Sequence, residues 1–172
     1  MLRRQSLLLT VLACALTAPS SAAHVQSADA AKQFVGAWKL VSWTDRMLDG
    51  TTSANRHSVG SGIFSDSNRL CAMFMDPNRP KWAAPPVPTA DEALTALTGS
   101  IGFCGTYRVH ATDGTLEYRV DVADRPNTIG VDRKRWFTFD GDRLTLRIKP
   151  GEVPGTSESE LVWERVREGG RQ

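Results

Sequence analysis

The sequence predicts an all-β fold, an eight-stranded antiparallel up-and-down β-barrel with one short helix in an insertion between strands. Three observations carry that expectation. From Phe34 onward, short β-rich runs recur between turn signals. Several of those runs alternate apolar and polar residues with the period of two that a strand requires. A Gly36-x-Trp38 pair at the mouth of the first run is answered by Leu161-Val-Trp-Glu-Arg165 in the last. Large aromatics on the first and last strands suit a sheet that closes on itself, and closure removes the exposed edges that promote aggregation.

The chain before the first strand reads as a leader. Residues 1–23 have a signal-peptide pattern: Arg3 and Arg4, an apolar run from Leu7 to Leu16 too short to cross a bilayer, and small residues Ser21-Ala22-Ala23 before cleavage at His24. Val11-Leu-Ala-Cys14 loosely matches a lipobox, which would anchor the protein by lipid on Cys14, but Leu12 fits poorly. Arg3-Arg4 evokes twin-arginine export, yet Ser6 stands where an apolar residue is usual. The expectation is ordinary export, to a periplasmic or secreted location. A flexible segment (24–33), the barrel domain (34–167) and a polar, disordered tail (168–172) complete the division.

With Arg3 and Arg4 discounted from 21 basic residues, 19 remain against 19 acidic ones. A neutral chain of this kind lacks the basic excess that nucleic acid or an anionic membrane surface demands. The mature chain is expected to contain no transmembrane segment.

Strands are expected at about Trp38–Arg46, Val59–Ser65, Leu70–Asp76, Phe103–Ala111, Leu116–Ala123, Val131–Phe139, Leu144–Lys149 and Ser159–Val166. The connections Asp49-Gly50, Asp66-Ser67-Asn68, Asp113-Gly114 and Asp140-Gly141-Asp142 have hairpin chemistry. Leu116, Tyr118, Val120 and Val122 fall on one face of their strand, and Leu144, Leu146 and Ile148 on one face of theirs. Arg133 and Arg135 share a face with Phe137 and Phe139, so that strand is polar at one end and apolar at the other. Between the third and fourth strands, the prolines of Asp76–Pro88 forbid strand continuation. Thr89-Ala-Asp-Glu92 then forms a capping box that starts a helix running to Gly99, with Leu94, Leu97 and Ile101 facing the protein. This insertion either covers one barrel opening or is a surface crossover.

Export places Cys71 and Cys104 in an oxidising compartment, where a disulfide between them is expected; two small buried apolar side chains are the alternative. No CxxC or HxxxH spacing suggests a metal, and no bound metal or organic cofactor is expected. The candidate ligand-binding residues are Phe64, Met73, Met75, Phe103, Tyr107 and Tyr118. They either line a cavity or fill a packed interior, because Leu70, Ala72 and Phe74 oppose Cys71, Met73 and Met75 and the sequence leaves open which set points inward. His57, His110, Asp121, Asp124 and Tyr118 are the groups capable of acid–base work, with His110 close to Glu117 across a hairpin. No nucleophile elbow or phosphate loop accompanies them, and no catalytic residue is assigned.

Five segments in order, Phe34–Trp43, Arg69–Pro80, Gly105–Val109, Gly141–Leu146 and Leu161–Arg165, make the chain resemble the bacterial and fungal lipocalin-like domain family of calycin-type proteins. The resemblance runs from Phe34 to about Arg167. It implies a small barrel with a presumed pocket, and a structural role for Gly36, Trp38, Trp163 and Arg165. In such barrels Trp38 would plug the closed end beneath a cation from the last strand, Arg165 or Arg167. Family members often carry paired histidines where this chain has Tyr118-Arg119, so chemistry that depends on such a pair is not expected here. The function expected is binding of a small apolar or amphipathic molecule inside the barrel. The alternatives are an isomerase or cyclase on the same scaffold and a packed barrel that meets a protein partner.

Overall fold

In Thr115–Ala123, alternate side chains enter the core: Leu116 and Val120 are buried while Glu117, Arg119 and Asp121 are exposed. The same rule builds every wall of the molecule. The computed structural model describes residues 29–167. The predicted leader (1–23), residues 24–28 of the segment that follows it, and the tail (168–172) lie outside the described residues. The strands are β1 (Gly36–Met47), β2 (Thr52–Ala54), β3 (Val59–Phe64), β4 (Arg69–Met75), β5 (Ser100–His110), β6 (Thr115–Ala123), β7 (Asp132–Asp140), β8 (Arg143–Ile148) and β9 (Thr156–Arg165). All neighbours are antiparallel, and β1 also pairs with β9, so β1 and β3 to β9 close into an eight-stranded up-and-down barrel.

The short β2 is the element the sequence does not suggest. β1 is long enough to serve two partners along one edge, β3 at Gly36–Lys39 and β2 at Thr44–Arg46, while its other edge runs along β9. Residues 29–34 are helical, where a flexible segment was expected up to residue 33. The helix ends by driving Phe34 into the barrel base, fully buried against Phe64, Phe137 and Phe139 at centroid distances of 5.2, 5.0 and 4.9 Å.

That base is the closed end. Trp38 is fully buried, donates its indole N–H to the Phe34 carbonyl at 2.8 Å, and lies 4.3 Å beneath the Arg165 guanidinium. Arg165 also donates to the Val35 and Gln33 carbonyls, tying the helical segment to the last strand. Both Arg165, at 3.7 Å, and Arg167 pair with Asp142, and of the two it is Arg165 that lies over the tryptophan. Gly36 has φ +130, where a side chain would be strained, and an added Cβ would lie 3.0 Å from an Arg165 nitrogen.

Two local devices shape the wall. At Gly105 a Cβ would fall 2.1 Å from the Arg119 carbonyl oxygen, so only glycine allows β5 and β6 this approach. Beside it the register shifts between Cys104 and Gly105, a bulge that leaves Asp121 unpaired and turns Val122 outward at 60% exposure. Val122 therefore leaves the face it shares with Leu116, Tyr118 and Val120 in a regular strand. Cys71 and Cys104 face each other directly, Cα atoms 4.1 Å apart, and form a disulfide across β4 and β5 on the barrel's outer side.

The helix Ala90–Thr98 forms where the capping box places it, with the Thr89 side chain accepting from the Glu92 N–H and the Glu92 carboxylate accepting in return. None of its residues is buried: Leu94 and Leu97 are 60% and 48% exposed rather than facing the protein. It touches the rim only at its end, through Thr98 and Gly99, and is a surface crossover.

Candidate functional site

The barrel is hollow toward the end opposite Trp38. A cavity of about 340 Å³ lies there, at the low end of the roughly 300–1,000 Å³ usual for small-molecule sites. Its floor and walls are apolar and rich in aromatics: Phe64, Leu70, Phe74, Leu146, Leu161 and Trp163, whose inward positions follow from strand alternation. The mouth is built from three connections, around Asn55 and His57, around Asp124 to Thr128, and around Glu152 to Pro154.

A polar cluster interrupts the apolar wall on the β6–β7 side. Arg133 and Arg135 project inward from β7, one residue apart on the same face, and Tyr118 stands opposite Arg133 in the register. Glu152 enters from the β8–β9 connection. Its Oε1 lies 2.9 Å from Arg133 Nη1 and 2.8 Å from Arg135 Nη2, and its Oε2 accepts from Arg135 Nη1 at 2.8 Å. The Arg135 and Glu152 side chains are only 10% and 11% exposed, so that ion pair is shielded from water, while Arg133 is 29% exposed. Arg135 also donates to the Tyr118 hydroxyl at 3.0 Å and lies 5.3 Å from that ring's centroid. Phe103 stacks on the same ring, centroids 5.4 Å apart and planes within 6°. Burial pushes the Tyr118 phenol above its ordinary value, against the opposing pull of Arg135.

A second network sets the rim. Asp45 is buried and accepts from Trp43, Asn55 and Ser159 at 3.1, 2.6 and 2.5 Å, which satisfies its charge without a cation. Asn55 passes this order on to His57, whose ring nitrogens lie 3.2 Å from Asn55 Oδ1 and from the Thr98 carbonyl. Burial lowers the His57 pKa, and the Thr98 carbonyl opposes that shift. The Trp163 indole N–H is buried on the cavity wall with no hydrogen-bond partner among the described residues. Among those residues no cluster of three or more His, Cys, Asp or Glu side chains could hold a metal, and no helix is long and apolar enough to cross a membrane.

The family profile described as a lipocalin-like domain matches residues 35–166. The chain belongs to the lipocalin-like domain family. No curated protein matches it. Among solved structures it is similar to a lipocalin-like protein from Bacteroides uniformis, with 12% identity, 78% of this chain and 99% of that one covered, and a TM-score of 0.42. An uncharacterized protein from Bacteroides eggerthii is similar at 14% identity, 77% and 99% coverage and a TM-score of 0.42. A protein from M. tuberculosis is similar at 12% identity, 82% and 98% coverage and a TM-score of 0.39. The family assignment rests on the sequence match, and none of the three structural likenesses bears on function.

Within this lipocalin-like barrel the candidate residues separate. Phe64, Phe103 and Tyr118 lie on the cavity wall. Met73 points outward at 49% exposure, and Met75 lies with it beside the disulfide in a depression on the outer surface, because Leu70, Ala72 and Phe74 take the inward positions of β4. Tyr107 is buried at the closed end, its hydroxyl donating to the Ser65 carbonyl, and is not part of the cavity wall. Trp163, expected to be structural, is part of the wall. His110 pairs with Glu117 on the surface at 3.1 Å, and Asp121 with Arg69 at 3.0 Å, both away from the cavity.

Sequence reasoning passed over Trp43, His57, Arg133, Arg135 and Glu152 as binding groups. The alternation Arg133-x-Arg135-x-Phe137-x-Phe139 was a usable signal, because two phenylalanines bound for the core carry two arginines inward with them. Glu152 has no comparable signal, since it lies between strands and has no periodicity to fix its direction.

Proposed function

We propose that this protein is an exported binding protein that holds one small amphipathic molecule in the cavity at the open end of the barrel. The observation that carries the reading is a hollow interior with an apolar aromatic floor and one polar cluster near the mouth. Affinity would come mainly from apolar burial, with the polar groups fixing orientation. Export is supported by the leader pattern together with a disulfide, a bond that persists in oxidising compartments. The hollow interior counts against a packed barrel that acts only through its surface. A second reading, an isomerase or cyclase, has in its favour that His57 and Tyr118 line the cavity with shifted pKa values. The binding reading is preferred because each His57 ring nitrogen lies against a rim group, Asn55 or the Thr98 carbonyl, and Tyr118 is held by Arg135 and Phe103.

Native mass spectrometry of the protein purified from its own host tests this. The expected result is a non-covalent adduct of low mass, with quenching of Trp43 and Trp163 fluorescence on rebinding. Repeated recovery of an empty protein that takes up no apolar probe would sink the proposal.

A further inference from the structure

Resting on that reading, we propose that the ligand's polar end is a carboxylate: the cavity takes a small monocarboxylate with an aromatic or medium-chain alkyl body. Arg133, Arg135 and Tyr118 receive the carboxylate, and Glu152 is the chain's own occupant of the same place.

The charge balance of the cluster comes first. Two guanidinium groups face one carboxylate, so the group of three carries an excess of one positive charge on the wall of an apolar cavity. Two arginines on the inward face of a barrel strand are costly to desolvate unless opposite charge compensates them. A purely structural pair would need one arginine for Glu152. The second is accounted for by an anion that arrives from outside.

The neutral groups point the same way. The Tyr118 hydroxyl accepts its bond from Arg135, which leaves its own proton to donate elsewhere. The Trp163 N–H is a donor in search of an acceptor. The other charges at the mouth, Asp124 and Arg125, add one negative and one positive charge and leave the excess unchanged. Each also bonds the backbone, Asp124 accepting from the Gly102 N–H and Arg125 donating to the Ser100 carbonyl, both at 2.9 Å. The wall thus carries a net positive charge and free donors, which disfavours an amine and which an alcohol would satisfy only in part.

The geometry selects a carboxylate. Glu152 shows what the receptor holds, one oxygen shared between both arginines and the other on Arg135, the forked pairing guanidinium groups make with planar carboxylates. Glu152 stands on the connection between β8 and β9 rather than within a strand, so it can leave without breaking the sheet ladder. The cavity volume and the rings of Trp43, Phe74, Phe103 and Trp163 limit the body to a short chain or one aromatic group.

The test compares octanoate with octan-1-ol, equal in chain length and different in head group, by calorimetry and tryptophan fluorescence on the full chain. Octanoate is expected to bind at least tenfold more tightly than octanol. Arg133→Met and Arg135→Met, checked for folding by circular dichroism, should erase that gap while octanol binding persists. Glu152→Gln should tighten octanoate several-fold and leave octanol unchanged. This variant keeps the test alive if an arginine variant fails to fold. Equal affinity for the two probes, or a Glu152→Gln variant that binds octanoate more weakly, overturns the carboxylate assignment while the binding reading stands. Failure of both probes to bind overturns the two together.

Discussion

The two ends of this barrel use the same kinds of residue to opposite ends. At the base, Trp38 and Phe34 are fully buried, the indole N–H has its acceptor, and Arg165 meets a ring, two carbonyls and the Asp142 carboxylate. At the mouth, Tyr118 keeps a spare proton and two arginines share one carboxylate, while on the cavity wall below them the Trp163 N–H lacks an acceptor. Aromatic rings and arginines build both places. Arg165 and the Trp38 indole turned onto the chain's own groups make the base a plug, whereas arginines and a hydroxyl lining a cavity make the mouth a receptor. The difference lies less in composition than in whether the charged groups meet the chain itself or a cavity.

Substitution at the base should therefore cost stability and spare recognition. Trp38→Ala removes a fully buried indole, its hydrogen bond and its cation–π partner, and is expected to lower unfolding free energy by about 3–5 kcal/mol in urea titrations. If Trp38→Ala instead left stability intact and abolished ligand uptake, the division between plug and receptor would be wrong. The outer wall between the two ends gives the next effect. Reducing Cys71–Cys104, or changing both to serine, is expected to cost about 2–4 kcal/mol. Intact mass should rise by two hydrogens on reduction, and an unchanged mass would refute the bond.

How much of this was legible depends on where each residue's direction is set. Periodicity placed the strands, the capping box placed the helix, and Gly36-x-Trp38 marked the closing seam, because each is a local pattern with a local cause. The short β2 was not legible, since Thr52–Ala54 becomes a strand only by borrowing an edge of β1. Val122 was misdirected by a bulge that depends on the close approach at Gly105. Leu94 and Leu97 have helical spacing, but the helix touches the barrel only at its end, so no surface awaits them. The receptor was half written: β7 carries its arginines in a readable alternation, and Glu152 reaches them only through the folded loop.

Smaller effects sharpen the mouth. His57 titrates below the ordinary histidine range because of burial, aided by Arg56 and Arg125 and opposed by the Thr98 carbonyl and Asp76. As pH falls below about 6.5 the unfolded chain takes up the proton first, so stability present at neutral pH declines until the folded imidazole also titrates. Removing this histidine, as in His57→Gln, should flatten that acid-side slope in thermal melts between pH 7 and 5. An unchanged slope would place its origin elsewhere. Smallest of all, Leu94→Ala and Leu97→Ala should each shift stability by less than about 0.5 kcal/mol, because neither side chain is buried. A larger loss would show that the helix packs more closely than its exposure indicates.

The seam between β1 and β9 has a consequence for how the molecule assembles. Each hairpin joins neighbours in the chain, but the seam joins its two ends, and the Ser159–Asp45 bond alone spans 114 positions. Bringing such distant segments together costs loop entropy before any contact repays it. Ring closure is therefore expected to come late, with Leu40 and Trp163 showing φ-values near zero in refolding and hairpin residues such as Leu116 showing higher ones. The part of the protein most tightly locked at equilibrium would then be the last to click shut, and for a moment each new molecule would be a curled ribbon with both edges bare.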